Sequence, residues 1–343
     1  MTGAGLAGGY VADLLLGDPA RRHPVAGFGQ AALRAEAALY APSRPRGVVY
    51  AGVLVGGAAA AGALAGRTGA ALGGALGGDA GRRRGATAVL AAVTWGALGG
   101  RSLTRVAGRL ADDLERSDLA AARTTLPSLC GRDPEALDAD GLARAALESV
   151  AENTSDAVVG ALFWGAVAGP GGVAAYRAAN TLDAMVGHRS DRYREFGWAA
   201  AKLDDALNWP PARLAAGLTA VCAPVVGGAP DTTLETVLRD GAKHPSPNAG
   251  RVESAFAGAL GVRLGGPLAY AGRDEIRPTM GDGRAPTATD VHRATRLSLA
   301  VGAAATIACA AARTLIVRLR TPKPVVRHPV RWRTGLGAKR GGT

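Results

Sequence analysis

The sequence predicts an all-α, polytopic integral membrane protein in which polar loops between the helices carry the active site. Long uncharged runs recur along the chain, and alanine dominates them. Alternating β-branched and aromatic stretches bounded by turns, which are typical of strands, are missing. With 48% hydrophobic and 20% charged residues among 343, the chain is also too apolar to be wholly disordered.

Five uncharged runs are the candidate membrane helices. Two have 20 residues, one has 17 and two have 16, whereas crossing a bilayer takes about 20 mainly apolar residues. Alanine and glycine make insertion only weakly favourable, so buried core helices remain the alternative. The runs are residues 47–66, 157–176, 214–230, 85–100 and 297–312, with a weaker one at 6–16.

The charge of the chain is concentrated at one end. Of a net charge of +12, nine basic side chains lie in residues 313–343, which contain no acidic residue. We therefore divide the chain into one helical membrane domain, residues 1–312, and a basic, disordered, cytoplasmic tail attracted to anionic lipids. A merely solubilising tail is an equal alternative. The nearly balanced body lacks a basic face with stacking aromatics, which argues against nucleic-acid binding.

The polar connections cover residues 101–156, 177–213 and 231–296. In the first we expect an amphipathic helix over residues 102–113 and another that begins near Pro134, with Asp133 as its cap.

An acidic stripe ends this first connection. Glu148, Glu152 and Asp156 recur every four residues, so they share one helix face directly before an apolar run, with Asn153 beside them. Like charges one turn apart destabilise a helix unless something neutralises them, and a magnesium ion shared with a substrate phosphate would do so. The alternative is a solvated acidic face, but carboxylates at the edge of a membrane span are costly and usually functional.

Two further stretches combine several chemical types. Residues 177–213 contain the adjacent pair Asp204 and Asp205 and cationic groups suited to phosphate oxygens; a solvated loop is at least as good an interpretation. Residues 240–250, DGAKHPSPNAG, form a proline-stiffened turn that presents lysine, histidine, serine and asparagine together. No GxxxxGK[ST], HExxH or GxSxG motif occurs, which excludes a P-loop.

These stretches resemble the CobD/CbiB family of cobalamin biosynthesis. The resemblance is carried by ESVAENTSDAVVGALFW, YRAANTLDAMVGHRSDRYREFGWAAAKLDDALNWPPARL and DGAKHPSPNAG, and it extends over roughly residues 10–310. It implies a multi-pass cell-membrane enzyme, an adenosylcobinamide-phosphate synthase. Such an enzyme uses ATP and Mg²⁺ to join (R)-1-aminopropan-2-ol phosphate, or a related amino alcohol, to a propionate of adenosylcobyric acid. Other membrane enzymes of late corrinoid assembly are possible partners.

Under this interpretation each candidate residue receives a role from the chemistry of the reaction. The expected magnesium ligands are Glu148, Glu152, Asp156, Asp204 and Asp205. The expected contacts to ATP or the amino alcohol phosphate are Arg177, Arg194, Lys202 and the catalytic Lys243. The proton lost by the amine is expected to go to Asp183 or His244. The groups expected to orient corrinoid amides or phosphate are Asn153, Asn180, Ser246 and Asn248.

Two other functions remain open. A transporter of a small or corrinoid substrate also has broken helices and intramembrane carboxylates, but it predicts inverted repeats, which the sequence does not show. A membrane scaffold that recruits partners through its basic tail gives no reason for the loop at 240–250.

Topology constrains any single site. If residues 157–176 and 214–230 both crossed the membrane, the stretch between them would face the side opposite to Glu148 and His244. Gly169 and Pro170 interrupt the first run, so we predict a re-entrant or buried segment there.

Overall fold

The computed structural model describes residues 3–19, 23–188, 190–270 and 273–320, and the all-helical membrane fold is confirmed. Two π-helical segments, Thr154–Val159 and Asp183–Gly187, adjoin α7. Short 3-10 turns cover Leu126–Ser128, Pro134–Ala136 and Ala223–Val226. The helices are α1 (Ala4–Leu16), α2 (Pro24–Leu39), α3 (Arg44–Ala97), α4 (Gly100–Glu115), α5 (Leu119–Thr125), α6 (Ala139–Asn153), α7 (Gly160–Leu182), α8 (Trp198–Cys222), α9 (Pro230–Asp240), α10 (Ala249–Leu260) and α11 (Ala288–Arg320).

One antiparallel hairpin, β1 (Leu264–Tyr270) with β2 (Arg273–Met280), was not predicted. Its first strand contains two glycines and a proline, which are poor strand formers, so no strand pattern is visible at these residues.

The predicted amphipathic helix over 102–113 is confirmed as α4. Near Pro134 the structure has only a 3-10 turn, in which Asp133 accepts a hydrogen bond from the Glu135 amide at 3.1 Å. The long helix α6 begins later, at Ala139, with Asp138 as its cap.

Helix α3 contains two of the predicted runs and folds back between them. Gly78 has φ +56° and ψ −144°, a conformation that residues with a Cβ rarely adopt. A Cβ added to Gly73 would lie 2.2 Å from the carbonyl oxygen of Gly81, so the two halves touch backbone to backbone. Small residues permit this close approach between membrane helices. The runs 47–66 and 85–100 therefore form an antiparallel pair.

The chain also reverses within the run 157–176. Gly169 has φ +66° and ψ −149°, directly before Pro170. The Tyr176 hydroxyl lies 3.0 Å from the carbonyl oxygen of Asp156, 20 residues earlier, whereas a continuous helix would separate them by about 30 Å. This reversal agrees with the predicted re-entrant or buried segment and returns residues after Tyr176 to the acidic stripe.

Within the described residues, three helical segments are long and apolar enough to cross a membrane, by length and composition: Arg44–Glu115, Ala139–Gly187 and Ala288–Leu319. The middle one is largely buried within the fold, and the other two present apolar side chains outward. Leu76 on α3 is 91% exposed and Ile307 on α11 is 73% exposed. Such an apolar exterior suits contact with lipid. The predicted run 214–230 is not among the three.

The boundary predicted after residue 312 falls inside α11. Arg313, assigned to the disordered tail, is buried and donates to the carbonyl oxygens of Ala166 and Val167 at 3.3 and 3.5 Å. These carbonyls end the first half of α7 just before Gly169, so Arg313 belongs to the fold. Residues 321–343 lie outside the described residues, and the disorder and lipid attraction of the tail stay predictions.

Candidate functional site

The candidate site lies where the two π-helical segments meet α8. Asp156 belongs to the first segment and Asp183 opens the second, while Asp204 projects from α8. A π-helical turn carries one extra residue, and such turns are frequent at functional sites. The structure therefore corrects one detail of the prediction: Asp183 and Asp204, expected in a polar connection, lie on helical segments, as Asp156 was predicted to do.

Asn180 connects two of these carboxylates. Its amide nitrogen lies 3.4 Å from Oδ2 of Asp156 and 3.5 Å from Oδ1 of Asp204. Arg177 Nη1 donates to the side-chain oxygen Oδ1 of Asn180 at 3.1 Å. The reversal at Gly169 thus brings together side chains from three separate helical segments.

Asp204 is buried and held in place by α8 itself. Asn208 donates to its Oδ2 at 2.9 Å, and the Tyr176 hydroxyl lies 2.6 Å from Oδ1 of Asn208. Burial, reinforced by the nearby Asp183 carboxyl, raises the pKa of Asp204 to about 7. Because Asp204 is buried beside the carboxyl of Asp183, its own carboxyl is stabilised either by a proton or by a bound cation. Asn208 was not predicted, although its spacing of one helical turn from Asp204 was visible in the sequence.

Glu148 has a different partner from the one predicted. It forms a buried ion pair with Arg132, and its Oε1 accepts a hydrogen bond from the Gly265 amide at 2.7 Å. An arginine therefore neutralises this carboxylate, which corrects its assignment as a magnesium ligand. Glu152, one turn later, is exposed and lies within electrostatic range of Asp183. Nothing in the sequence singled out Arg132.

Side chains of the loop at 240–250 form hydrogen bonds with the backbone of the same loop. His244 Nδ1 accepts a hydrogen bond from the Ser246 amide at 3.0 Å. The neutral ring then carries its proton on Nε2 and has no lone pair left for a substrate proton, so His244 is a poor base. Ser246 Oγ accepts from the amides of Asn248 and Ala249 at 3.3 and 3.2 Å, an arrangement that starts α10.

Asn248 fastens this loop to α8. Its amide donates to the carbonyl oxygen of Asp205 at 2.8 Å and accepts from Arg213 at 2.8 Å. These bonds favour a structural role for Ser246 and Asn248 over the predicted substrate-orienting one.

Two lysines that were predicted to contact phosphate form ion pairs with nearby carboxylates. Lys243 pairs with the buried Asp240 at 2.7 Å, and Lys202 pairs with Asp205 at 3.4 Å. Hydrogen bonds hold the pKa of Asp240 well below its usual range, and the bond from Arg239 makes the largest contribution. This arrangement gives Lys243 a structural role in place of the catalytic one and argues against Asp205 as a metal ligand.

Two further predicted residues are also placed away from the cluster. Arg194 is exposed, and the Asn153 amide donates to its own helix, at Ser149 O, at 3.0 Å. Within the described part of the chain, no hydrogen bond joins either of them to Asp156 or Asp204.

The oxygen donors of Asp156 and Asp204 are of the type that Mg²⁺ prefers. Both carboxylates contact the amide of Asn180, at 3.4 and 3.5 Å. A cation between them would neutralise their negative charges better than this neutral amide does. Elsewhere, Asp112, Glu115 and His292 are the one group of three potential ligand atoms within 4.8 Å of one another among the described residues. The acidic site thus offers magnesium two converging carboxylates and not a closed cage.

Two cavities lie near the predicted site residues. One of about 310 Å³ lies between α2, α3 and α7; its walls are apolar except for Arg177 and Thr181. The other, of about 480 Å³, is polar and contains Arg144 and Gly265, whose amide binds Glu148. The apolar cavity therefore borders the cluster at Arg177, and the polar cavity lies beside Glu148.

Comparison with known proteins shows the family of the chain. A family model described as CobD/Cbib protein matches residues 6–298. "Cobalamin biosynthesis protein CobD" of Mycobacterium tuberculosis strain H37Rv is 52% identical over 299 residues, which cover 87% of this chain and 92% of that protein. The protein of the same name from Rhizobium meliloti strain 1021 is 42% identical over 88% of this chain and 93% of its own length. No solved structure matches. The chain therefore belongs to the CobD/CbiB family of cobalamin biosynthesis proteins.

Proposed function

We propose that this protein is an adenosylcobinamide-phosphate synthase, which forms an amide between adenosylcobyric acid and an amino alcohol phosphate at the expense of ATP. The observation that carries the proposal is the convergence of Asp156, Asn180 and Asp204 beside Arg177. These groups combine oxygen donors for a cation with a guanidinium for phosphate, which a phosphate-activated condensation needs.

The reaction requires activation because a carboxylate does not condense with an amine at neutral pH. A propionate oxygen attacks the γ-phosphorus of ATP, ADP leaves, and the amine then displaces phosphate from the acyl carbon. Water must be excluded while the acyl phosphate exists. The largely buried α6–α7 region, with apolar walls beside Arg177, provides such surroundings.

Asp156 and Asp204 would hold magnesium, which supplies charge neutralisation for the phosphate oxygens when it is bound. Arg177 would bind phosphate through the donors that Asn180 does not use. Asp183 remains the candidate acceptor of the amine proton, since the geometry of His244 argues against the alternative.

Mass spectrometry tests the reaction. Purified protein in detergent, given adenosylcobyric acid, (R)-1-aminopropan-2-ol phosphate, ATP and Mg²⁺, should release adenosylcobinamide phosphate and ADP in equal amounts. Corrinoid uptake into proteoliposomes without ADP formation would instead support the transporter.

An adjacent pair of variants tests the metal assignment. Asp204→Asn should lower the ligation rate by about 100-fold and raise the Mg²⁺ concentration needed for half activity, because it removes one of two converging charges. Asp205→Asn is the matched control, since Asp205 pairs with Lys202, and it should stay within about threefold of the wild type. Equal losses in both variants would contradict the assignment.

A further inference from the structure

A buried carboxyl outside the predicted set lies near Glu148 and Glu152 of the acidic stripe. Glu253 on α10 is 1% exposed, and its Oε2 has no hydrogen-bond partner among the described residues. A buried polar atom without a partner costs free energy, so such an atom in a native fold calls for an explanation. Burial raises the pKa of Glu253, and the negative charges of Glu148 and Glu152 raise it further.

Charged residues of both signs surround Glu253. Helix α10 packs against α6 and the β-hairpin, and this places Glu253 within electrostatic range of Glu152, Arg132 and Arg277. Arg132 is already engaged by Glu148. Glu152, by contrast, is exposed. The exposed carboxyl of Glu152 and the buried carboxyl of Glu253 therefore interact electrostatically, and the guanidinium of Arg277 is within electrostatic range of both.

We infer that Glu152 and Glu253 form a subsite for the ammonium group of the amine substrate. A primary ammonium has three donors and one positive charge, so it satisfies the partnerless Glu253 oxygen and offsets the repulsion between the two carboxyls. The substrate class is an ω-ammonium alkyl phosphate, in which two carbons separate the ammonium from the phosphate ester oxygen. Arg277 is within electrostatic range of both carboxyls and gives the subsite a polarity that matches these opposite ends.

This inference rests on the proposed ligation only for the identity of the amine. A binding measurement tests the subsite without turnover. Titration calorimetry would be done in detergent, with EDTA and without ATP. The two probes are 1-aminopropan-2-ol phosphate and propan-2-yl phosphate, which lacks the amine. Glu253→Gln keeps the shape of the side chain and should weaken binding of the first probe roughly 10- to 100-fold, while binding of the second stays unchanged.

Two further variants keep the test decisive. Glu152→Gln changes an exposed side chain, so this variant should fold normally and lose affinity for the amine probe only. It replaces Glu253→Gln in the test if that variant does not fold. Glu235→Gln, an exposed position on α9, should bind both probes like the wild type. Equal weakening of both probes in Glu253→Gln and Glu152→Gln would reduce these residues to a structural role and overturn the subsite, as would unchanged amine binding in both.

The wild type separates the two proposals. If it binds the amine tightly but forms no amide from it, the ligation fails and the subsite stands. If it forms the amide but Glu152→Gln and Glu253→Gln bind the amine normally, the subsite fails and the ligation stands. A wild type that does not bind the amine refutes the subsite.

Discussion

Gly169→Ala tests the reversal on which the whole site depends. Gly169 has φ +66° and ψ −149°, a combination that is essentially restricted to glycine and costs other residues about 1–3 kcal/mol. An added Cβ would also lie 3.0 Å from Nη2 of Arg313, a long side chain that can shift slightly. We therefore expect the free energy of unfolding to fall by about 2–3 kcal/mol, mostly from backbone strain.

Gly57→Ala is the matched control. Gly57 lies in the regular part of α3, and nothing lies within 4 Å of an added Cβ there. Alanine at such a position should be neutral or stabilise the helix by up to about 1 kcal/mol.

Denaturant unfolding in detergent, followed by near-UV circular dichroism, measures both variants, and the ligation assay reports whether Asp156 and Asn180 still meet. Wild-type stability in Gly169→Ala would refute the reversal at this residue. A loss of equal size in Gly57→Ala would show that any added methyl is harmful and that the special conformation is not the cause.

Three other predictions concern the supports of the site. Arg132→Gln leaves the buried Glu148 charge without its ion pair and should cost about 3–5 kcal/mol; adding Glu148→Gln should restore part of this, and additive losses in the double variant would argue against a direct pair. Tyr176→Phe removes the hydroxyl beside Asn208 and should cost about 1–3 kcal/mol in unfolding experiments, so an unchanged stability would contradict the observed contact. Asp240→Asn tests pH dependence: because the folded pKa of Asp240 lies below its usual range, its charge stabilises the protein above the unfolded pKa of about 4. That contribution disappears as the pH falls through the folded value. The stability gap between wild type and variant should accordingly be large at pH 7 and shrink below pH 4, and a gap that is constant over this range would refute the role of the charge.

Local sequence signals predicted a considerable part of this site. The four-residue spacing of Glu148, Glu152 and Asp156 predicted an acidic helix face, from which Asp156 reaches the candidate site. The break at Gly169 and Pro170 indicated that the run does not cross as one helix. Both inferences use interactions between neighbours in the chain, which the sequence displays directly.

Roles that depend on long-range partners were less predictable. Glu148 and Asp156 look equivalent in the sequence, but one meets Arg132 and the other meets Asn180. His244 looked like a base until its Nδ1 bond to the Ser246 amide was known. Glu253 had no signal, because a single glutamate in an otherwise ordinary helix gains its meaning only from burial.

The sequence by itself determined that the chain is helical, that its apolar runs suit a membrane, and which family it resembles, because composition, periodicity and long irregular motifs are local properties. Only the tertiary structure decided which charges neutralise one another. Ion pairs and shared hydrogen bonds join residues far apart in the chain, and their partners depend on how the reversals in α3 and α7 bring the helices together.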